Sequence, residues 1–175
     1  MNLISSQLQT KIWRRSQQWY INGRKNECEN YQLSLLQSII KHNLSKTNDR
    51  IFNKSIIHCP NPHINTNGFE YTENFDRLLN LEGTRYYFNL KFICDHGGAQ
   101  TRTLKDVYHF CSLQLNLSAL TNNTYFINIF DGNTSFQHMN KFKYLLDQHS
   151  NPPRVFIGDT LQFSSWWSRR FPIIL

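Results

Sequence analysis

Residues 85–94 read RYYFNLKFIC, a run in which Asn89 and Lys91 are the only charged or amide side chains after Arg85. Aromatic and β-branched residues favour strands, and an apolar run without strict alternation is typical of a strand that is covered on both faces. The stretch therefore predicts the central strand of a sheet that lies between layers of helices.

The residues on either side predict further strands and helices. Residues 69–75 predict a strand, and Glu82-Gly83 predicts the turn that joins it to the central strand as a hairpin. Helical spacing of apolar residues and short apolar runs predict the remaining elements, which are helix 29–42, helix 103–115, strand 125–130, helix 135–146 and strand 154–157. A hairpin followed by two strand–helix–strand crossovers predicts an α/β domain with a mixed central β-sheet flanked by helices.

Length and composition limit the class of protein. The chain has 175 residues, of which 39% are hydrophobic and 14% aromatic, which suits one packed domain and excludes a disordered chain. We expect a single domain in which residues 1–68 form an N-terminal helical and basic segment packed on a core of residues 69–175. No apolar run is long enough for a membrane span, and the N-terminus lacks the features of a secretion signal, so we expect a cytoplasmic protein.

The charge of the chain predicts an anionic partner. Lys and Arg number 19 against 12 Asp and Glu, which gives a formal net charge of +7. Such an excess favours nucleic acid as the partner, with an acidic membrane surface second.

Asp76, Asn89 and Lys91 form a candidate catalytic group. Asp76 follows the first strand of the predicted hairpin, so its backbone can lie beside the second strand. Side chains at positions i and i+2 share one face of a strand, which places Asn89 and Lys91 together. In metal-dependent phosphodiester cleavage, oxygen ligands hold Mg²⁺, the ion polarises the phosphate and lowers the pKa of a bound water, and a lysine orients or deprotonates that water.

Several runs around this group resemble type II restriction endonucleases of the PD-(D/E)xK superfamily. They are YTENFD at 71–76, YYFNLK at 86–91, GGAQTR at 97–102, VYHF at 107–110 and FINIFDG at 126–132. The resemblance covers residues 69–160 and implies a site-specific, metal-dependent DNA endonuclease with a restriction-endonuclease-like sheet. Asp76 would match the first acidic residue of the family and Lys91 its terminal lysine. Asn89 stands where the family has Asp or Glu, so Glu73 or Glu70 would supply the missing charge.

The resemblance also implies a cofactor and partners. It implies Mg²⁺, double-stranded DNA as substrate, and a cognate DNA methyltransferase that protects the host's sites in a restriction–modification system. A homodimer is expected, because palindromic sites are matched by two-fold symmetry. Gly98 would let backbone N–H groups at a helix N-terminus meet a phosphate, and Gln100 and Arg102 would contact the DNA backbone or a base edge.

Other interpretations of the same residues stay open. Asp76 is also consistent with the simple end of a strand, and Lys91 with a lysine that extends from a sheet edge into water. Because Asn89 is not acidic, the chain is alternatively a nucleic-acid-binding domain of the same fold that has lost cleavage. A third interpretation is an interaction protein that uses a surface around Trp166 and Trp167.

The cysteines and histidines have two alternative assignments. Cys59, His63, Cys94 and His96 could form a zinc site, although their spacing is not that of a zinc finger; buried thiols and loop histidines are the simpler assignment. His63 with Asn65 fits a histidine–metal nuclease centre of the ββα type only loosely.

Two aromatic segments each have two interpretations. Trp13 and Trp19, which lie among basic residues, predict either a DNA-contacting arm or a surface helix packed on the core. Trp166 and Trp167 beside Arg170 predict either a dimer surface or the last part of the core.

Overall fold

The structure, a computed structural model, describes residues 9–24, 27–61, 71–95, 97–149 and 154–172. The helices in these ranges are α1 (Thr10–Ser16), α2 (Gln18–Ile21), α3 (Glu27–Ile40), α4 (Gly98–Ser118), α5 (Asn133–Gln137), α6 (Met139–Asp147) and α7 (Thr160–Arg170). The strands are β1 (Ser45–Lys46), β2 (Asp49–Phe52), β3 (Ser55–His58), β4 (Tyr71–Asn74), β5 (Arg77–Leu81), β6 (Thr84–Phe92), β7 (Thr124–Asp131) and β8 (Val155–Gly158).

Five of these strands form the central sheet, in the order β1-β5-β6-β7-β8. β6, β7 and β8 run parallel to one another, whereas β1, β5 and β6 pair antiparallel. The predicted α/β fold with a mixed central sheet flanked by helices is confirmed. β1 comes from residues 45–46, so a part of the chain before residue 69 belongs to the central sheet.

Strand β6 is covered on both faces, as its composition predicts. One face, which includes Tyr87, packs against α4 and α6 through Val107 and Phe142. The other face, which includes Phe88, packs against α3 and α7 through residues such as Phe163. β6 therefore holds both helical layers, and its polar residues are fixed within this framework.

The predicted hairpin between residues 69–75 and the central strand is wrong. The strand before the turn at Glu82 and Gly83 is β5, and Tyr71–Asn74 forms β4 in a second, antiparallel sheet of order β3-β2-β4. Glu82 and Gly83 have φ of 52° and 78°, the positive values of a two-residue hairpin turn, which pairs the strands that immediately flank it. Phe75, fully buried against Tyr87, anchors the end of β4 in the core.

The N-terminal helix α1 packs on the core. The ring of Trp13 lies with its centroid 4.5 Å from that of Tyr31 and 5.9 Å from that of Phe92. Thr10 Oγ1 donates a hydrogen bond of 2.5 Å to Asn133 Oδ1. These contacts favour the packed helix over a free DNA-contacting arm for this part of the chain.

The C-terminal helix α7 completes the core on the face of β6 that includes Phe88. Phe163 and Trp167 are buried there, and the Trp166 ring packs with its centroid 5.4 Å from that of Phe156. The guanidinium of Arg170 lies 4.0 Å from the centre of the Tyr125 ring. Packing within the chain therefore accounts for this aromatic segment.

The four cysteines are free and buried, as expected. In the ranges that the structure describes, no helix is long and apolar enough to cross a membrane. His63, Asn65, Glu70 and His96 lie outside the described residues, so the alternative zinc and ββα centres, which need these histidines, stay predictions.

At Gly132 the fold has no room for a side chain. Its φ is +105°, and a Cβ there would lie 2.2 Å from the carbonyl oxygen of Ile93. Gly132→Ala should therefore lower the free energy of unfolding by about 2–4 kcal/mol, as measured by urea denaturation. Gly97→Ala is the matched control, because a Cβ at Gly97 meets no atom within 4 Å. Equal stability losses in the two variants would contradict the prediction.

Candidate active site beside strand β6

Strand β6 extends past the end of its antiparallel neighbour. β5 begins at Arg77, which pairs with Phe88, whereas β6 continues to Phe92. Asp76 stands at this end of β5: its N–H donates to the Phe88 carbonyl at 2.8 Å, and its Oδ2 accepts from the Leu90 N–H at 2.7 Å. The carboxylate thus satisfies a backbone donor that has no strand partner on this side. Asp76 lies beside β6 as predicted, although it precedes the hairpin strand.

Lys91 and Glu73 form an ion pair at the same edge of the sheet. The distance from Lys91 Nζ to Glu73 Oε2 is 3.0 Å, and the Lys91 side chain is only 17% exposed. The charges of Lys91 and Glu73 also influence the ionisation of Asp76. The structure therefore brings together three of the four predicted catalytic residues.

The groups at this edge shift one another's ionisation. Burial raises the pKa of Asp76, and the Glu73 carboxylate adds to the rise, while the Leu90 N–H and the Lys91 ammonium oppose it. Burial by itself lowers the pKa of Lys91, but the carboxylates of Glu73 and Asp76 outweigh burial, so the pKa is raised. Lys91 is therefore an ammonium ion at neutral pH. It is suited to orient a water or to offset negative charge, and not to remove a proton.

Asn89, the fourth predicted residue, is held in a buried network of amides. It is 1% exposed, and its Nδ2 donates to Asn128 Oδ1 at 3.1 Å. Asn128 exchanges two hydrogen bonds with Gln114 of α4 and donates to the Phe156 carbonyl at 3.1 Å. The Oδ1 atom of Asn89 is buried and has no hydrogen-bond partner among the described residues.

One backbone carbonyl sets the orientation of these amides. A carbonyl only accepts, so Asn128 presents Nδ2 to Phe156 and Oδ1 to Asn89. Asn89 must then present Nδ2 to Asn128 on β7, and its own Oδ1 has no hydrogen-bond partner among the described residues. An unpaired buried oxygen costs about 1–3 kcal/mol, so a ligand for this atom would recover stability.

Glu29 of α3 is an acidic member of the site that the sequence analysis did not identify. It lines the same polar cleft as Asp76. Desolvation raises the pKa of Glu29, and the Asp76 carboxylate adds to the rise, whereas Lys91 opposes it. The only sequence signal at Glu29 is an acidic residue in the first turn of a helix, which predicts stabilisation of the helix and not a site.

The predicted DNA contacts lie at the start of α4. Gly98 and Arg102 are exposed, and Gln100 is half-buried. Because α4 connects the parallel strands β6 and β7, its N-terminus lies at their carboxyl ends, the end at which α/β proteins bind ligands. This is also the end of β6 that carries Lys91. Contact of these three residues with DNA stays a prediction.

Comparisons with known proteins do not assign this site. No protein-family model matches the chain, and neither a curated protein nor a solved structure is detectably similar to it. The function is therefore inferred from the residues of the site.

The oxygen atoms at this edge are nevertheless suited to a divalent cation. Within the described ranges, no three His, Cys, Asp or Glu side chains converge on one point as a preformed metal site would require. Mg²⁺ commonly binds only one or two carboxylates, and waters and substrate phosphates complete its octahedral shell. The Asp76 carboxylate offers one such ligand, and the Glu73 carboxylate and the buried, unpartnered Oδ1 of Asn89 are the other oxygen ligands that the residues of the site could supply.

Asp76→Asn should stabilise the protein near pH 7. Because the pKa of Asp76 is raised in the folded state, its contribution to stability is complete below its unfolded value and is lost as the pH rises through the folded value. The neutral amide removes that loss and can still accept from the Leu90 N–H. We expect a higher Tm at neutral pH, about 2–4 °C for each kcal/mol, and no difference at about pH 3.

Thermal unfolding followed by circular dichroism at the two pH values measures this effect. Asp106→Asn, at an exposed position of α4, is the control and should leave Tm nearly unchanged at both. A lower Tm for Asp76→Asn at neutral pH would show that the ionised carboxylate stabilises the fold, contrary to this account.

Proposed function

We propose that the chain is a metal-dependent endonuclease that cleaves double-stranded DNA at specific sites, a type II site-specific deoxyribonuclease of the PD-(D/E)xK superfamily. The observation that carries the proposal is the Asp76 carboxylate, which the Leu90 N–H holds against β6 beside Asn89 and Lys91. The resemblance implies a carboxylate and an ammonium at one end of a mixed sheet, together with a second acidic residue whose place Asn89 takes here. The proposed fold is accordingly restriction-endonuclease-like.

Asp76, Asn89 and Glu73 are the residues that would hold Mg²⁺. All three offer oxygen ligands, which Mg²⁺ prefers. The bound ion would polarise the scissile phosphate and lower the pKa of a coordinated water. Glu73 would leave its ion pair with Lys91 to reach the ion, and this exchange would free the Lys91 ammonium for the substrate.

Lys91 would act as a fixed positive charge beside the scissile phosphate. Its raised pKa keeps it protonated, and its low exposure limits screening by water. An ammonium in this position orients the attacking water and offsets the charge that builds on the phosphate during attack. Groups of this kind contribute about 10²–10³-fold to the rate of the reactions they assist.

The proposed enzyme would have DNA, a second copy of the chain and a methyltransferase as partners. Gly98, Gln100 and Arg102 at the start of α4 would contact the DNA, and the net charge of +7 favours its phosphates. A palindromic site would be bound by a homodimer, and a cognate methyltransferase would protect the sites of the host. Such an enzyme acts in the cytoplasm.

A nucleic-acid-binding domain of the same fold without cleavage is the second candidate, and Asn89 favours it. Asn128 presents its Oδ1 to position 89, where an ionised Asp or Glu would place a second acceptor with no proton between the two. The amide is therefore a structural requirement of this core. A neutral amide is also a weaker ligand for Mg²⁺ than a carboxylate, so cleavage would be slow or absent.

Lys91→Ala should lower the single-turnover cleavage rate by about 10²-fold or more, because it removes the charge beside the phosphate. DNA affinity in Ca²⁺ should fall far less, since one phosphate contact among several changes the salt slope by about one unit. Lys91→Arg keeps the charge but replaces the compact ammonium by a wider guanidinium, so it should retain binding and not catalysis.

Cleavage is measured with enzyme in excess over a DNA substrate in Mg²⁺, and binding by gel shift in Ca²⁺. Lys143→Ala, at an exposed position of α6, is the matched control for the loss of one positive charge. Wild-type cleavage by Lys91→Ala would rule out a catalytic role for this lysine.

Asn89→Asp should make folding stability depend on Mg²⁺. In EDTA the variant should have a lower Tm than the wild type, because it buries a charge and loses the donor to Asn128. Mg²⁺ should restore much of this loss if position 89 contributes a ligand, since the ion pairs with the new carboxylate. Asn128→Asp, which disturbs the same network from β7, should be destabilised without comparable recovery. Equal recovery of both variants would remove Asn89 from the metal site.

A further inference from the structure

Two basic residues lie side by side at the end of β5 that carries Asp76. Lys46 of β1 and Arg77 of β5 are direct cross-strand partners. Directly opposed residues of antiparallel strands point to the same face, and like charges in such a pair repel. The ion pairs of the described residues involve other side chains, so neither cation has a carboxylate within salt-bridge distance there.

Both cations line a polar cleft of about 350 Å³ that also contains Asp76 and Glu29. Asn74 forms part of its wall and ties two chain segments together, because its Nδ2 donates to the carbonyls of Thr47 at 3.2 Å and Phe75 at 3.1 Å. These hydrogen bonds therefore fix part of the wall of the cleft.

Protection of the sheet edge against pairing with other chains explains Lys46 but not Arg77. Lysine on an edge strand commonly prevents pairing with other chains, and β1 is an edge strand, which accounts for Lys46. Arg77 lies on the inner strand β5, where this reason does not apply. Its charge is attracted to the carboxylates of Asp76 and Glu29 but forms an ion pair with neither among the described residues. Alternation along β5 places Arg77 on the face of Leu79, which packs in the core under α3, whereas Lys91 shares the opposite face of the sheet with Tyr87.

We propose that Lys46 and Arg77 form a subsite for a DNA backbone phosphate adjacent to the one cleaved at Asp76. The proposal rests on the function proposed above, since it assigns the neighbouring phosphate of the same strand. A phosphate between the two cations replaces their repulsion by charge-assisted hydrogen bonds, and the guanidinium can bind it with two parallel N–H groups. The strand would then cross the end of β5 between this subsite and Lys91.

The test combines DNA affinity with the stability of the protein alone. A fluorescein-labelled DNA duplex of about 20 base pairs is titrated in Ca²⁺ at several salt concentrations with Lys46→Gln, Arg77→Gln and the double variant, and Lys143→Gln is the control. Each single variant should lower affinity by about 5–10-fold and reduce the salt slope by about one unit, clearly more than the control. Without DNA, the Tm of Lys46→Gln should equal or exceed that of the wild type, because repulsion is removed, whereas Arg77→Gln also removes an attraction to the carboxylates of Asp76 and Glu29.

The possible results separate this proposal from the nuclease proposal. A wild-type protein that binds the duplex but leaves a sequenced supercoiled plasmid intact in Mg²⁺, with weaker binding by the variants, overturns the nuclease and supports Lys46 and Arg77 as a site for a DNA backbone phosphate. Cleavage by the wild type with variants that bind as well as Lys143→Gln overturns the subsite alone. A lower Tm of Lys46→Gln without DNA also overturns the subsite, because Lys46 would then serve to stabilise the fold.

Discussion

The hydrogen bond from the Leu90 N–H to Asp76 is the contact on which the site depends. β6 continues where β5 has ended, so this backbone donor would otherwise be unpaired in a partly buried position, at a cost of about 1–3 kcal/mol. The bond keeps a desolvated carboxylate at the edge of the sheet, where its raised pKa shows that ionisation is opposed. Lys91 and Glu73 are positioned around that carboxylate. The fold therefore holds a charge that its own stability does not favour, which is typical of functional sites.

The buried amides impose a second constraint, from the other side of β6. The Phe156 carbonyl orients Asn128, Asn128 in turn orients Asn89, and the Oδ1 of Asn89 has no partner in the part of the chain that the structure describes. An Asp at position 89 would be a better metal ligand, but it could not donate the hydrogen bond that Asn128 Oδ1 accepts from Asn89. The departure of position 89 from the acidic pattern of the resembled family thus has a cause in the packing of this core.

The sequence predicts the framework better than the site. The aromatic run at 85–94 can only be a covered strand, and the order of elements after it follows from periodicity. The hairpin prediction fails because two short strands, 71–74 and 77–81, precede the turn where the sequence predicts one. The fully buried Phe75 lies between them, and its position in the core cannot be read from the pattern. Glu29 could not be found, since helix α3 approaches Asp76 only through tertiary packing.

The central claim is that the Asp76 edge is a metal site for DNA cleavage, and digestion of a sequenced supercoiled plasmid tests it most directly. In Mg²⁺ the wild type should give discrete fragments whose ends map to one short sequence. Asp76→Asn, which keeps the hydrogen bond to Leu90, should leave the plasmid intact while it binds DNA in Ca²⁺ within about tenfold of the wild type. An intact plasmid with the wild type, or equal digestion by Asp76→Asn, would contradict the claim.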